Sequence, residues 1–356
     1  MGLHLRRGTA IAAALTFATT ATWASEDYDL RYAPGVGGAD MSAPFEGGWV
    51  FQSPVLAYSG HVTARTGLNT DLTPYLLDGV TATTSATVRT QIDVQGLLPR
   101  LSYMSQAKFL GAQMGASVLV PIVHKKASVT VSGISTAYSP DVPGAIAAQL
   151  GPIFDARTQQ LAQENSNERS GLGDMEVSGL LRWSSDATQV MVVGTVVAPT
   201  GQYDARRPVN PGAGNFWTFR PSVQYSYIGD GWDIGARVAY SINTRNADTH
   251  YKTGNYMNID VSALKSLSDA WRFGAAGYAL GQFSRDDVSE APTDQAEQAR
   301  QAVTVNRRAG KLGLGPEVAY IQGAGEFLLE ARLIREFAAT NAPEGWSAWV
   351  NFSKPF

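Results

Sequence analysis

The 356-residue chain has no cysteine, which excludes structural disulfides, thiolate metal sites and cysteine nucleophiles. Charged residues make up only 17 % of it, against roughly 25 % in soluble domains, so a large water-facing surface is poorly supplied. A formal charge of −3 offers no basic face, and nucleic acid is not expected as a partner.

Residues 1–24 have the grammar of an export signal. Arg6 and Arg7 give a positive start, Thr9 to Thr20 is a short Ala-rich apolar stretch, and Thr22-Trp23-Ala24 offers small residues for cleavage after Ala24. The stretch is too short to span about 30 Å of hydrocarbon as an anchor. Without Arg6 and Arg7, 26 of the 28 basic residues remain against 31 acidic ones, a mature charge of −5. Residues 25–46 form a leader rich in Gly and Pro, including Tyr32-Ala33-Pro34-Gly35-Val36-Gly37-Gly38. Its prolines lack ladder donors and its glycines lack packing side chains, so it is expected as a periplasmic segment or a small plug.

From residue 47 to 356 the pattern has period two, which predicts an all-β, transmembrane, antiparallel up-and-down barrel. Trp232, Ile234, Ala236, Val238, Tyr240 and Ile242 alternate with Asp233, Gly235, Arg237, Ala239, Ser241 and Asn243. Residues 215–228 repeat this, and Gly229-Asp230-Gly231 between the two segments reads as a hairpin turn. Further alternating runs lie at 87–95, 255–268 and 325–337. Segments of 12 to 16 residues exceed the 5 or 6 typical of globular strands and suit tilted spans of about 9 to 11 residues or more.

Fourteen strands are expected, with 12 as the alternative: 47–60, 86–95, 100–108, 111–122, 127–136, 171–185, 188–203, 215–228, 232–246, 255–268, 271–286, 308–322, 325–340 and 345–356. Short turns at 184–187, 229–231, 268–270 and 323–325 alternate with long connections near 61–86, 137–170, 204–214, 247–254 and 287–307. That rhythm places the short turns in the periplasm and the long loops outside. Val142 to Gln163 and Ser289 to Ala302 have helical composition. Trp183, Trp217, Trp232, Trp271, Trp346 and Trp349 near strand ends are expected at the lipid–water interface.

The polar faces supply the lumen-lining candidates Arg89, Asp93, Glu176, Arg182, Arg220, Asp233, Arg237, Asp260, Arg272, Glu330 and Arg332, with Arg245 and Glu317 beside them. Most are expected to pair with one another. Four histidines are present: His4 lies in the signal, His124 in an expected periplasmic turn with Lys125 and Lys126, and His61 and His250 in external loops near acids such as Asp248. No Gly-x-Ser-x-Gly elbow or paired-His motif occurs, so no catalytic, cofactor or metal site is assigned. At the end, Trp346, Ala348, Val350 and Phe352 alternate towards lipid before Phe356, which suggests Phe352 and Phe356 as the signal read by the barrel-assembly machinery.

Tyr32-Ala33-Pro34-Gly35, Leu110-Gly111-Ala112, Gly171-Leu172-Gly173-Asp174-Met175, Pro199-Thr200-Gly201-Gln202-Tyr203 and Gly214-Asn215-Phe216-Trp217-Thr218-Phe219-Arg220-Pro221 occur in that order. In these motifs the chain resembles the SphA-like outer-membrane proteins of the "MetA-pathway of phenol degradation" family. The resemblance implies a barrel concerned with uptake of aromatic or other hydrophobic molecules, including long-chain amines or lipids, and carries over no site residue. The expectation is a passive channel in the outer membrane of a Gram-negative bacterium, with outer-membrane lipid and hydrophobic or aromatic cargo as partners. The short leader before the first strand argues against energised uptake through a large plug domain. The alternatives are a barrel hydrolase acting on lipid or peptide, and a structural or sensor barrel with a closed lumen.

Overall fold

The structure, a computed structural model, describes residues 30–43, 47–72, 77, 79–290, 307–323 and 325–356. The expected signal, residues 25–29 and 44–46 of the leader, and most of the second helical segment at 289–302 lie outside the described residues. The strands are β1 (Gly48–Asp71), β2 (Thr81–Leu97), β3 (Arg100–Phe109), β4 (Ala112–Leu119), β5 (Ile122–Ser139), β6 (Asn167–Leu172), β7 (Glu176–Ser184), β8 (Thr188–Val197), β9 (Thr218–Gly229), β10 (Trp232–Asn243), β11 (Tyr251–Lys252), β12 (Tyr256–Ser266), β13 (Trp271–Gln282), β14 (Asp287–Val288), β15 (Gly310–Gln322), β16 (Phe327–Thr340) and β17 (Glu344–Pro355). Among the described residues there is one α-helix, α1 (Gly144–Glu164), between β5 and β6. No helix among the described residues is long and apolar enough to cross a membrane.

Twelve strands close a ring in the order β1, β3, β4, β7, β8, β9, β10, β12, β13, β15, β16, β17, with β17 returning to β1 from Val50↔Pro355 to His61↔Glu344. The barrel therefore has the alternative count of 12 rather than 14. The difference comes from two places where proline interrupts one continuing strand and looks, in sequence, like a turn. β2 runs into β3 across Leu98-Pro99, and β4 into β5 across Val120-Pro121. Proline removes a ladder donor there without reversing the chain. The segments expected as separate strands at 86–95 and 100–108, and at 111–122 and 127–136, are halves of single strands. His124, Lys125 and Lys126 accordingly lie within β5, not in a periplasmic turn.

β2, β5 and β6 pair in sequence beside the upper part of β1 and extend the wall on one side. Their outward residues explain why this part stands clear of lipid. On β1 the outward positions are apolar at Trp49, Phe51 and Val55, then become Ser59, Thr63, Arg65, Asn69 and Asp71. On β2 they are polar from Thr81 to Gln95. The connection expected at 61–86 is thus largely strand, and His61 lies within β1, paired in register with Gln91 and Glu344.

The inner face of this extension carries apolar residues that α1 covers. Phe154 and Leu150 pack with Leu72, Val80 and Ala82, and Ala162 packs with Val88 and Val129. Elsewhere the ring exposes a lipid-facing surface in which Trp217, Phe219, Trp232, Trp271, Leu333 and Trp346 are all prominent. Trp349 departs from the expected interfacial belt: it is 1 % exposed and points inwards, because β17 turns its odd positions to the lumen.

Candidate functional site

The ring encloses a polar lumen, and residues 30–43 lie inside it. This segment has one short 3-10 turn, Ala39–Met41, and is held by wall side chains rather than by strand pairing. Asp260 on β12 accepts hydrogen bonds from Tyr32 Oη and from the Gly35 backbone at 3.0 Å. Arg332 on β16 donates to the carbonyls of Gly35 at 2.9 Å and Val36 at 2.6 Å. Glu317 accepts from Ala39 N at 2.8 Å, and Glu330 from Asp40 N at 2.9 Å. Gln224 and Ser226 on β9 both donate to the Met41 carbonyl. The side-chain-poor sequence is what permits this fit, because Gly37 and Gly38 lie directly against Arg237 and Arg332.

The wall charges pair with one another within a strand or across one or two steps of the sheet, as burial requires. Arg220 contacts Glu176 at 2.9 Å, Arg237 contacts Asp260 at 3.0 Å, Arg272 contacts Asp233 at 2.8 Å and Arg332 contacts Glu330 at 2.6 Å. Glu317 lies 3.6 Å from the same Arg332, so one guanidinium serves two carboxylates. Arg182 donates to Gln113 at 2.7 Å. Arg245 instead sits at the rim, bonding the His250 carbonyl at 2.7 Å and the Asp287 carboxylate. That bond holds the Asp287 carboxyl below the ordinary carboxylate range.

Arg89 and Asp93 do not line the lumen. They occupy the outer face of β2, where Asp93 accepts from Ser59 at 2.6 Å, while Val88 and Ile92 are buried on the inner face. The period-two pattern correctly separates two faces there. Assigning the apolar one to lipid fails because this strand stands in the extension, where the outer face meets water.

Several inner residues were absent from the candidate set. Lys311 donates to Glu336 at 2.6 Å, and Tyr58 donates to the same carboxylate at 3.0 Å. Strand parity from β15 and β16 could have found both Lys311 and Glu336. Arg31 could not have been found that way, since the leader has no periodicity. It bonds Asp174 at 3.0 Å and the carbonyls of Gly214 and Phe216, and its guanidinium lies 3.8 Å over the Phe216 ring. Asp174 also accepts from Gly201 N and Ala213 N, each at 2.9 Å. Motifs separated by nearly two hundred residues, around Tyr32, Asp174, Gly201 and Gly214, thus meet in one knot where β6 passes into β7.

Between the internal segment and the wall lies a cavity of about 440 Å³. Leu56, Ile92, Val94, Leu98, Leu119 and Met191 give it an apolar wall, while Arg100, Arg220 and Glu176 supply polar groups. Such a size, with an apolar wall facing charged and polar groups, suits a small ligand. Among the described residues no group of three potential metal-ligating side chains occurs. His250 Nε2 lies 3.9 Å from Glu290, and His124 Nδ1 lies 2.8 Å from Ser170 Oγ as a cross-strand pair on the outer face. Within the described residues, no carboxylate is hydrogen-bonded to either ring nitrogen of His124, so this pair lacks the orienting partner of a catalytic triad.

A crystal structure of an outer-membrane channel from Pseudomonas putida F1 is similar, with a TM-score of 0.55 and 14 % identity over 92 % of this chain and 100 % of the other. The CymD monoaromatic hydrocarbon channel aligns at a TM-score of 0.39 and 9 % identity, over 95 % of this chain and 98 % of that one. The Pseudomonas putida toluene transporter TodX aligns at 0.35 and 9 %, over 96 % and 98 %. No curated protein matches by sequence. The profile of the MetA-pathway of phenol degradation family matches residues 78–352, most of the chain. The chain belongs to that family and has the fold of an outer-membrane β-barrel.

Proposed function

We propose that this protein is a passive outer-membrane channel for hydrophobic or aromatic small molecules, with no catalytic role. The observation that carries this reading is the roughly 440 Å³ cavity, whose apolar wall lies inside a lumen where most charges are paired. Water and sugars gain little from such a wall, whereas an apolar solute gains about 25 cal/mol for each Å² it removes from water. The names of the CymD and TodX channels agree with that chemistry. Residues 30–43 act as a small plug, held by side-chain bonds that can release without breaking a strand ladder. Export with cleavage after Ala24, and recognition of Phe352 and Phe356 by the barrel-assembly machinery, complete the proposal.

The test is flux into liposomes reconstituted with the folded protein, comparing sugars, monoaromatic compounds and long-chain amphiphiles. Protein-dependent flux of the apolar solutes, exceeding that of sugars of equal size, is the expected result. Absence of any such flux, with hydrolysis of lipid or peptide instead, overturns the proposal.

A further inference from the structure

We infer that Arg100 is a receptor for the carboxylate of an otherwise apolar ligand, so that the cavity selects amphipathic acids over neutral molecules of the same body. This rests on the channel reading and narrows it. Seven basic and four acidic side chains line the cavity. Most of these charges already have partners. Arg220 holds Glu176, Arg237 holds Asp260, Lys311 holds Glu336 and Arg31 holds Asp174.

Arg100 differs. It lies on the inner face of β3, between Gln52 and Leu119 in register, and follows the Leu98-Pro99 break. Its guanidinium makes no hydrogen bond or ion pair with any described residue. Glu176 and Asp40 line the same cavity but are engaged elsewhere. Glu176 is bonded to Arg220 at 2.9 Å, and Asp40 accepts from Gly38 N at 2.9 Å and Gln52 Nε2 at 3.4 Å. A guanidinium presents a planar fork of donors that matches a carboxylate in two parallel bonds. Leu119 is paired with Arg100 in register, and Leu98, Ile92, Val94 and Val123 line the same cavity. One unpaired cation in a cavity with an apolar wall is the complement of a carboxylate on a hydrocarbon or aromatic body.

The experiment uses the folded protein in lipid nanodiscs, with empty nanodiscs as reference, and 4-phenylbutyrate and its methyl ester as probes. Binding is measured by calorimetry for the wild type, Arg100→Gln and Arg100→Lys. The wild type is expected to prefer the acid by about tenfold, the scale of one charge-assisted hydrogen-bonded pair. Arg100→Gln is expected to lose that preference while still binding the ester, and Arg100→Lys to keep part of it. Equal binding of acid and ester by the wild type, or a preference unchanged in Arg100→Gln, overturns the assignment. The wild-type comparison stands even if a variant fails to fold. Ester flux into liposomes is read separately: its absence overturns the channel reading, whereas ester flux without acid preference overturns only the role of Arg100.

Discussion

Gly38→Ala isolates how firmly the internal segment is held. A Cβ at this position overlaps Arg332 Nη1 and comes within 2.7 Å of Arg332 Cζ, with Glu317 Oε1 at 2.5 Å. Arg332 is fully buried and cannot retreat freely, because it bonds Glu330 and the Val36 carbonyl, each at 2.6 Å. Overpacking of this kind costs about 1–3 kcal/mol. Losing one hydrogen bond to a charged group costs about 1.5–3 kcal/mol. A combined loss near 3 kcal/mol raises the population of the detached segment roughly a hundredfold. The wall is expected to remain intact, since its ladder uses none of residues 30–43. With no native cysteine, Ser42→Cys provides a unique reporter at a buried position, 4 % exposed. Its labelling by a membrane-impermeant maleimide should accelerate about a hundredfold in the Gly38→Ala background if the opening equilibrium governs the rate. Equal labelling rates in the two backgrounds, with both barrels folded, refute the reasoning.

Phe154→Ala removes the fully buried anchor of α1 and should weaken its seat by about 3–5 kcal/mol; faster proteolysis within 140–166, with the barrel still folded on an unheated gel, is the expected readout. Gly345→Val places a side chain against the Ser59 carbonyl across the β17–β1 seam, and the folded band on such a gel should fall sharply; an unchanged band argues against close packing there. Asp287 has its carboxyl pKa lowered by the hydrogen bond from Arg245, so the link is complete above the ordinary carboxylate pKa and is lost as pH falls through the lower, folded value. Hydrogen exchange in 250–254, corrected for intrinsic rates, should therefore rise between about pH 4 and lower values, and a flat profile removes the link from the strap formed by β11 and β14. Deleting Phe356 removes its two backbone bonds with Trp49 but leaves most of the β17–β1 seam; outer-membrane levels in cells should fall while refolding in detergent persists, and parallel losses in both assays argue for a purely structural role.

The local sequence determines much of the barrel, because a strand between lipid and a wet lumen must alternate. β9, β10, β12, β16 and β17 each turn the expected apolar residues outwards, and this follows from periodicity alone. Alternation does not say what medium each face meets. Arg89 and Asp93 lie outside because β2 rises beyond the apolar belt, a position decided by its pairing with β1 and β5. Nor does a proline reveal whether the chain reverses, and so Pro99 and Pro121 leave the count between 12 and 14 until pairing connects the halves. The leader has composition but no period. Only ring closure brings Asp260, Glu317, Glu330 and Arg332 around it. The same holds for Arg100: its charge is written in the sequence, but its lack of a partner depends on which strands surround it, since pairing is a property of distances across the lumen and not of order along the chain.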